Sequence, residues 1–414
     1  MKTLFPRRVL GVALLAVVVP LFAGKARADD DIFDAVDDLL KVSAFNGNVN
    51  VRFSGLLDLE GYYVQQPPPG LIDTEHTFLF NPRLTLFVDA QIGPQLYFFA
   101  QARADRGFDP ADAAAQVRLD EYALRLTPWS DGRFNVQAGK FATVVGNWAN
   151  RHDSWENPFI TAPLPYENVT SLWNSVAANS YDTILDWSDT DKYNRIPVIW
   201  GPSYASGMAV SGRLGKFDYA GEIKNSSLSS SPDAWNVTEA GFSHPTFSGR
   251  VGYRPDEAWN IGFSSSTGTY LLPVAASTVA PGTGIGDYRS ILLGQDVSYA
   301  WHHWQLWAEV FETRFEIPEV GNADTLAYYI EAKYKFTPQL FGALRWNQQL
   351  FNKVPDDDGD YYPWSDNVWR IDAAVTYRFT PHLQAKLQYS FMQMDDGDSE
   401  QYQHFVALQL TLRF

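Results

Sequence analysis

The ionisable side chains best placed to do chemistry in this sequence fall into two sets. Asp58, Arg83, Arg103 and Arg125 sit on one parity of stretches that alternate polar and apolar residues. Arg151, His152, Asp153, Trp155 and Glu156 form the second set, followed by Pro158, Pro163 and Pro165. Polar groups on such a proline-stiffened segment either set the width and field of an aqueous path at close quarters or belong to a loop that merely packs against a wall, and both readings stay open. Covalent chemistry finds little footing. The chain has no cysteine, which removes thiolate metal sites and cysteine nucleophiles. Its seven histidines fall in no recognisable motif, and neither a glycine-rich phosphate loop nor a His-Glu-x-x-His run occurs. A hydrolase needs a nucleophile, a base and an orienting group together, so the expectation is a non-enzyme with no cofactor and no metal. The acidic runs Pro355 to Asp360 and Asp395 to Asp398 lack the spacing and closing Glu of a calcium loop, and read as solvated charge.

The elements that carry the first set are strands. At the end of the chain Tyr402, Val406, Leu408, Leu410, Leu412 and Phe414 fall on one parity, and Gln401, Gln403, Gln409, Thr411 and Arg413 on the other. That is period two, the signature of a strand with one apolar face. Leu383 to Phe391 and Trp369 to Phe379 repeat it. These stretches run about 11 to 14 residues, where membrane strands need about 9 to 11 and globular strands average roughly 5 to 6. Short links alternate with longer polar ones. The expected strands are 49–64, 77–91, 95–106, 116–127, 133–141, 203–214, 217–228, 246–254, 258–272, 291–302, 304–317, 324–336, 339–352, 367–379, 382–394 and 401–414. The predicted fold class is all-β: a transmembrane antiparallel β-barrel of about sixteen strands spanning residues 47–414. Residues 142–202 form one long third link, rich in Trp, Pro and Asn, and so long a connection in a compact domain is usually functional.

The parity predicts which charges face the lumen: fourteen cations, among them Arg345, Arg370, Arg378, Lys386 and Arg413, and nine anions, among them Asp58, Glu60, Asp105, Glu309 and Glu331. A hairpin centred on Gly93 would set Arg83 directly against Arg103, and like charges so placed repel. Either a permeating anion or nearby carboxylates must offset this, so a selective cationic site and a structural salt-bridge cluster both stay open. Glu331 and Arg345 fall opposite across a turn centred on Pro338 and are expected to pair.

At the start, the cations Lys2, Arg7 and Arg8, the apolar run Val9 to Ala23 and the triplet Ala26-Arg27-Ala28 have the layout of a secretory signal, cleaved after Ala28. That apolar run is shorter than the roughly 20 residues of a spanning helix. Removing the signal's five cations (Lys2, Arg7, Arg8, Lys25 and Arg27) takes the formal charge from −16 to about −21, which disfavours nucleic acid as a partner. Aromatic residues make up 15% of the chain, a share suited to the aromatic girdles of a barrel. Residues 29–46 are acidic, with Ile32, Phe33, Val36, Leu39 and Leu40 at helical spacing. They read as a short periplasmic helix or a disordered tail.

Strand number, turn and loop asymmetry, the long third loop and the terminal aromatic together resemble the bacterial outer-membrane porins, including the phosphate-selective group, over residues 47–414. The resemblance implies an outer-membrane location and passive diffusion of small hydrophilic solutes or ions, with a mild anion preference from the cationic wall. It also implies that residues 142–202 narrow the barrel, and that Phe414 is read by the barrel-assembly machinery. Outer-membrane lipids are the surroundings, and a homotrimer is one arrangement it allows. An outer-membrane adhesin or structural anchor, and a lipid-hydrolysing barrel enzyme, are the alternative readings.

Overall fold

In the computed structural model, residues 39–72, 74–106, 116–188, 192–356, 358–395 and 400–414 are described. The signal segment 1–28, the helical spacing from Ile32 to Val36, and the acidic positions Asp357, Asp396 and Asp398 lie outside the described residues.

All sixteen expected strands are present. They are β1 (Val49–Val64), β2 (Phe78–Ile92), β3 (Leu96–Asp105), β4 (Gln116–Leu126), β5 (Asn135–Lys140), β6 (Ser206–Leu214), β7 (Phe217–Lys224) and β8 (Thr246–Tyr253), followed by β9 (Trp259–Thr269), β10 (Arg289–Trp301), β11 (Trp304–Ile317), β12 (Gly321–Lys335), β13 (Leu340–Phe351), β14 (Asn367–Arg378), β15 (Leu383–Asp395) and β16 (Glu400–Arg413). Each pairs antiparallel with the next, and β1 pairs with β16 from Leu56↔Arg413 to Val64↔Phe405, which closes the barrel. Closure pairs the backbone groups that lipid cannot solvate. At the seam Gly55 and Phe414 exchange two backbone hydrogen bonds, of 2.8 and 3.1 Å. A Cβ at Gly55 would overlap the Phe414 ring, so only glycine lets the last aromatic lie across the first strand.

The alternation seen in the sequence becomes an apolar outside and a polar inside. Leu408 is 56% exposed on the outer face, while Gln384 and Gln388 on the inner face of the neighbouring strand are fully withdrawn. Two aromatic belts ring the outside. Near the short turns lie Phe217 with Tyr253, Trp304 with Tyr334, and Tyr377 with Phe379, at centroid separations of 4.7 to 5.0 Å. Towards the long-loop end, Tyr63 meets Phe78 and Trp346 stacks on Trp369 at 5.4 Å. These are the positions where amphipathic rings favour a membrane interface.

Lys41–Ala44 is a strand rather than part of a helix. It pairs with β1 from Lys41↔Arg52 to Ala44↔Val49, on the edge left open where β16 ends. An unpaired edge attracts the nearest extended chain, and the strand begins at Lys41, directly after the helical Leu39 and the turn at Leu40.

The third loop folds into the lumen, as expected. It carries a 3-10 turn (Ala149–Arg151), a short helix (Leu164–Glu167), a two-stranded ribbon (Val169–Trp173 with Arg195–Pro197) and a second helix (Tyr181–Ser188). Leu172, Tyr181, Ile184 and Ile196 pack with Tyr270, Leu271, Phe315 and Trp364 in one buried apolar cluster at the long-loop end. That cluster fills the mouth over the middle strands.

Candidate functional site

Carboxylates on the wall receive the first amides of the inward loop. Glu121 Oε1 accepts the Ala142 N–H at 2.8 Å. Glu222 accepts from the Thr143 hydroxyl at 2.7 Å and the Val144 N–H at 3.3 Å. Glu309 accepts from the Asn147 N–H, the Trp148 N–H (3.2 Å) and the Tyr166 hydroxyl (2.7 Å). Burial, and then the charge of Glu309, push the Tyr166 phenol well above its usual range, so it stays a donor. The loop passes Glu309 closely because residue 146 is glycine. A Cβ there would stand 2.5 Å from both Glu309 Oε1 and Tyr166 Oη, and its φ is +72°.

Cations on the opposite wall take the loop's carbonyls. Arg378 Nη2 donates to Trp155 O at 3.1 Å, and Lys386 Nζ donates to Ser154 O and, at 2.6 Å, to Asn157 O. Arg345 Nη2 reaches Thr161 O and Ala162 O at 3.1 Å. Arg370 Nη2 reaches Ala162 O at 2.6 Å, and its Nη1 meets Glu167 Oε1 at 2.5 Å. Asp372 lies between Arg345 and Arg370, at 2.8 and 3.0 Å. Glu331 and Arg345 are register partners, as expected, at 3.6 Å, although Glu331 holds Arg151 more closely, at 2.6 Å. Buried charges require such partners, and charge-assisted bonds are the strong ones.

The loop does not fill the whole lumen. Between it and the wall of β1–β3 remains a cavity of about 190 Å³, with Leu71 and Ile72 towards the long-loop end and Leu56 towards the short turns. Its polar wall is Asp58, Glu60, Arg83, Arg103 and Asp105, and Asp153 faces them from the loop. Arg83 bonds Asp58 at 3.1 Å and Glu60 at 2.6 Å. Thr411 and Gln409 complete those carboxylates at 2.6 and 2.7 Å.

No family model matches the chain, and no curated protein matches it in sequence. Its fold does match solved structures. It superposes on the OmpF of Salmonella typhi in complex with daunomycin with a TM-score of 0.55 at 12% identity, covering 90% of this chain and 100% of that one. The anion-selective porin from Comamonas acidovorans gives 0.54 at 11% identity, over 88% and 100%. The outer membrane channel DcaP of Acinetobacter baumannii gives 0.54 at 11%, over 90% and 100%. The chain is a porin-like β-barrel.

Within this porin-like barrel the charges predicted from sequence divide. Asp58, Arg83, Arg103 and Asp153 come together at the cavity. Arg83 and Arg103 are not opposite each other. The hairpin pairs Ile92 with Leu96 and Thr85 with Arg103, so it is centred on Pro94, and Arg83 faces Asp58 on β1 instead. Arg125 lies near the short-turn end, bonded to Gln137 at 2.7 and 2.9 Å and 5.8 Å from the ring centres of Tyr97 and Phe99. Arg151 turns to the far wall, against Glu331, Tyr329 and the Trp307 ring. Glu156 is exposed on the loop beside Trp155.

Sequence reasoning missed Arg118 and Asp120. Arg103 pairs with Asp120 at 3.1 Å, and Arg118 with Asp105 at 2.9 Å. A bulge opposite Gln101 and Ala102 turns Asp120 to the same side as Glu121, which breaks strict alternation in β4. Two adjacent carboxylates within one strand are the signal that was there to find. Asp218 and Asp296, which hold Arg250 at 2.8 and 2.7 Å, were also missed. These additions narrow the cationic excess of the wall.

Proposed function

We propose that the chain is a passive outer-membrane channel for small hydrophilic solutes, with a mild preference for anions, exported by a signal cleaved after Ala28. The observation that carries the reading is the polar gap between the inward loop and the β1–β3 wall, a part of the lumen that the loop leaves open. Its field runs across the gap: Arg83 and Arg103 on one side, Asp153 on the other. The wall cations present themselves more than their counter-ions do. The Arg83 and Arg103 side chains are 22% and 13% exposed, whereas Asp58, Glu60 and Asp120 are each 1% exposed behind them. Asp153, 41% exposed, keeps the preference mild. The printed names of two structural neighbours, an anion-selective porin and an outer-membrane channel, support the same class of function.

In this reading outer-membrane lipids meet the apolar face, Phe414 is the residue the assembly machinery reads, and residues 142–202 set the width of the path. Purified protein in a planar bilayer tests it. Discrete conducting steps, with a reversal potential in a salt gradient on the anion side, are expected. Absence of ion-permeable openings overturns the channel, and a cation-side reversal overturns the anion preference.

A further inference from the structure

We propose that the cavity between the inward loop and the β1–β3 wall is a binding site for a neutral, hydroxyl-bearing ring solute of monosaccharide size, held by Asn81, Gln409, Ser154 and Trp148. This names a solute class for the proposed channel and rests on that reading. The charged side chains of the cavity are already matched. Arg83 holds Asp58 and Glu60, Arg103 holds Asp120, and Arg118 holds Asp105. Glu167 is held by Arg370 and accepts the Ala162 N–H at 3.1 Å. Both ring nitrogens of His152 are engaged, Nδ1 by Ala149 O and Nε2 by the Tyr204 hydroxyl. Asp153, 41% exposed, is solvated.

What remains unmatched is neutral. Asn81 Oδ1, Gln409 Oε1, Ser154 Oγ and the Trp148 indole N–H have no hydrogen-bond partner among the described residues. All four residues line the cavity, and each is more than nine-tenths buried. They come from three directions: Asn81 from β2, Gln409 from β16, and Trp148 and Ser154 from the loop. The amide nitrogens of Asn81 and Gln409 donate to Glu60 at 3.5 and 2.7 Å, which leaves the two amide oxygens as the free ends.

A buried donor or acceptor left alone is unfavourable. The occupant must therefore donate to two amide oxygens and accept from the indole, and a hydroxyl group does both. Leu56, Ile72, Phe159 and Ile160 line the same cavity and offer apolar surface beside these points. Water meets the polar points alone. A sugar ring meets both, with hydroxyls around its edge and C–H groups on its faces. Apolar wall beside a few placed polar groups is the pattern of a small-molecule site. At about 190 Å³ the space far exceeds the roughly 10–15 Å³ that one water needs. A solute carrying a full charge gains little here, because the charges that would hold it already hold one another.

The test is bilayer recording of the full chain with glucose on both sides. The ion current should fall further than the bulk electrolyte conductivity does and should saturate, equally at low and high salt because the solute is neutral. Trp148→Phe keeps an aromatic ring and removes the donor, and Asn81→Leu keeps the volume and removes the acceptor. Each should raise the half-blocking glucose concentration about fivefold, the effect of one net hydrogen bond. A current that falls only as the bulk does, the behaviour of a cavity that holds water alone, overturns the site. So does an unchanged half-blocking concentration in either conducting variant. NMR saturation transfer from the detergent-solubilised chain to glucose reads the site without conduction. Transfer that weakens in Trp148→Phe supports the site even where no current flows, an outcome that overturns the channel reading alone. No transfer from the wild type overturns the site.

Discussion

Arg370 on β14 and Glu167 on the inward loop, 203 residues apart in sequence, meet at 2.5 Å with both side chains largely withdrawn from solvent. The same division of labour runs around the lumen. Glu121, Glu222 and Glu309 accept loop amides or hydroxyls, while Arg345, Arg370, Arg378 and Lys386 donate to loop carbonyls. Much of the wall's charge is therefore spent on holding the loop, and a count of inward charges overstates what a solute meets.

Replacing one partner of that pair leaves the other buried alone, which costs about 3–5 kcal/mol. Arg370→Ala should lower the urea midpoint of the detergent-solubilised barrel and expose residues 142–202 to protease. A midpoint and cleavage pattern equal to wild type would show that the pair does not hold the loop.

Gly146 carries a second expectation. With φ at +72° and a Cβ 2.5 Å from Glu309 Oε1 and Tyr166 Oη, Gly146→Ala must displace the loop as well as bear about 1–2 kcal/mol of left-handed backbone strain. Larger and noisier channel openings are expected in bilayer recordings. Wild-type conductance in this variant would mean that the close approach to Glu309 does not set the gap.

How far the sequence could be read follows from the range of each interaction. Alternation over Leu383 to Phe391 or Tyr402 to Phe414 is local, and all sixteen strands were legible from it. The pairing of Arg83 was not, because register depends on the turn: a three-residue turn fits residues 92–94 as well as the 93–95 that form it, and that shift of one residue sets Thr85 rather than Arg83 opposite Arg103. Asp120 was hidden by a bulge, and the strand at Lys41–Ala44 by a competing helical spacing. The clamp on the loop joins Glu309 to Tyr166, 143 residues apart, and Arg345 to Thr161, 184 apart. No local pattern encodes such contacts, although residue 146 being glycine and the prolines after Glu156 belong to them.

The seam gives a third expectation. Since a side chain at Gly55 would overlap the Phe414 ring, Gly55→Leu and removal of Phe414 should each reduce the folded fraction recovered in lipid vesicles, read as the heat-sensitive shift in gel mobility. Equal recovery in both variants would separate the terminal aromatic from closure of the barrel.

Lipid contact gives the fourth. Leu408 is 56% exposed midway along β16, and Arg there should cost about 2–4 kcal/mol of folding free energy in a bilayer. Unfolding free energies within error of wild type would contradict the assignment of the apolar face to lipid.

In the proposed channel, solutes pass between the inward loop and the β1–β3 wall. Because the chain contains no cysteine, a single cysteine can report on that gap. In Asp153→Cys a bulky charged thiol reagent should cut the bilayer current sharply, while the same reagent on Leu408→Cys should leave it unchanged. An undiminished current through fully modified Asp153→Cys would contradict the account.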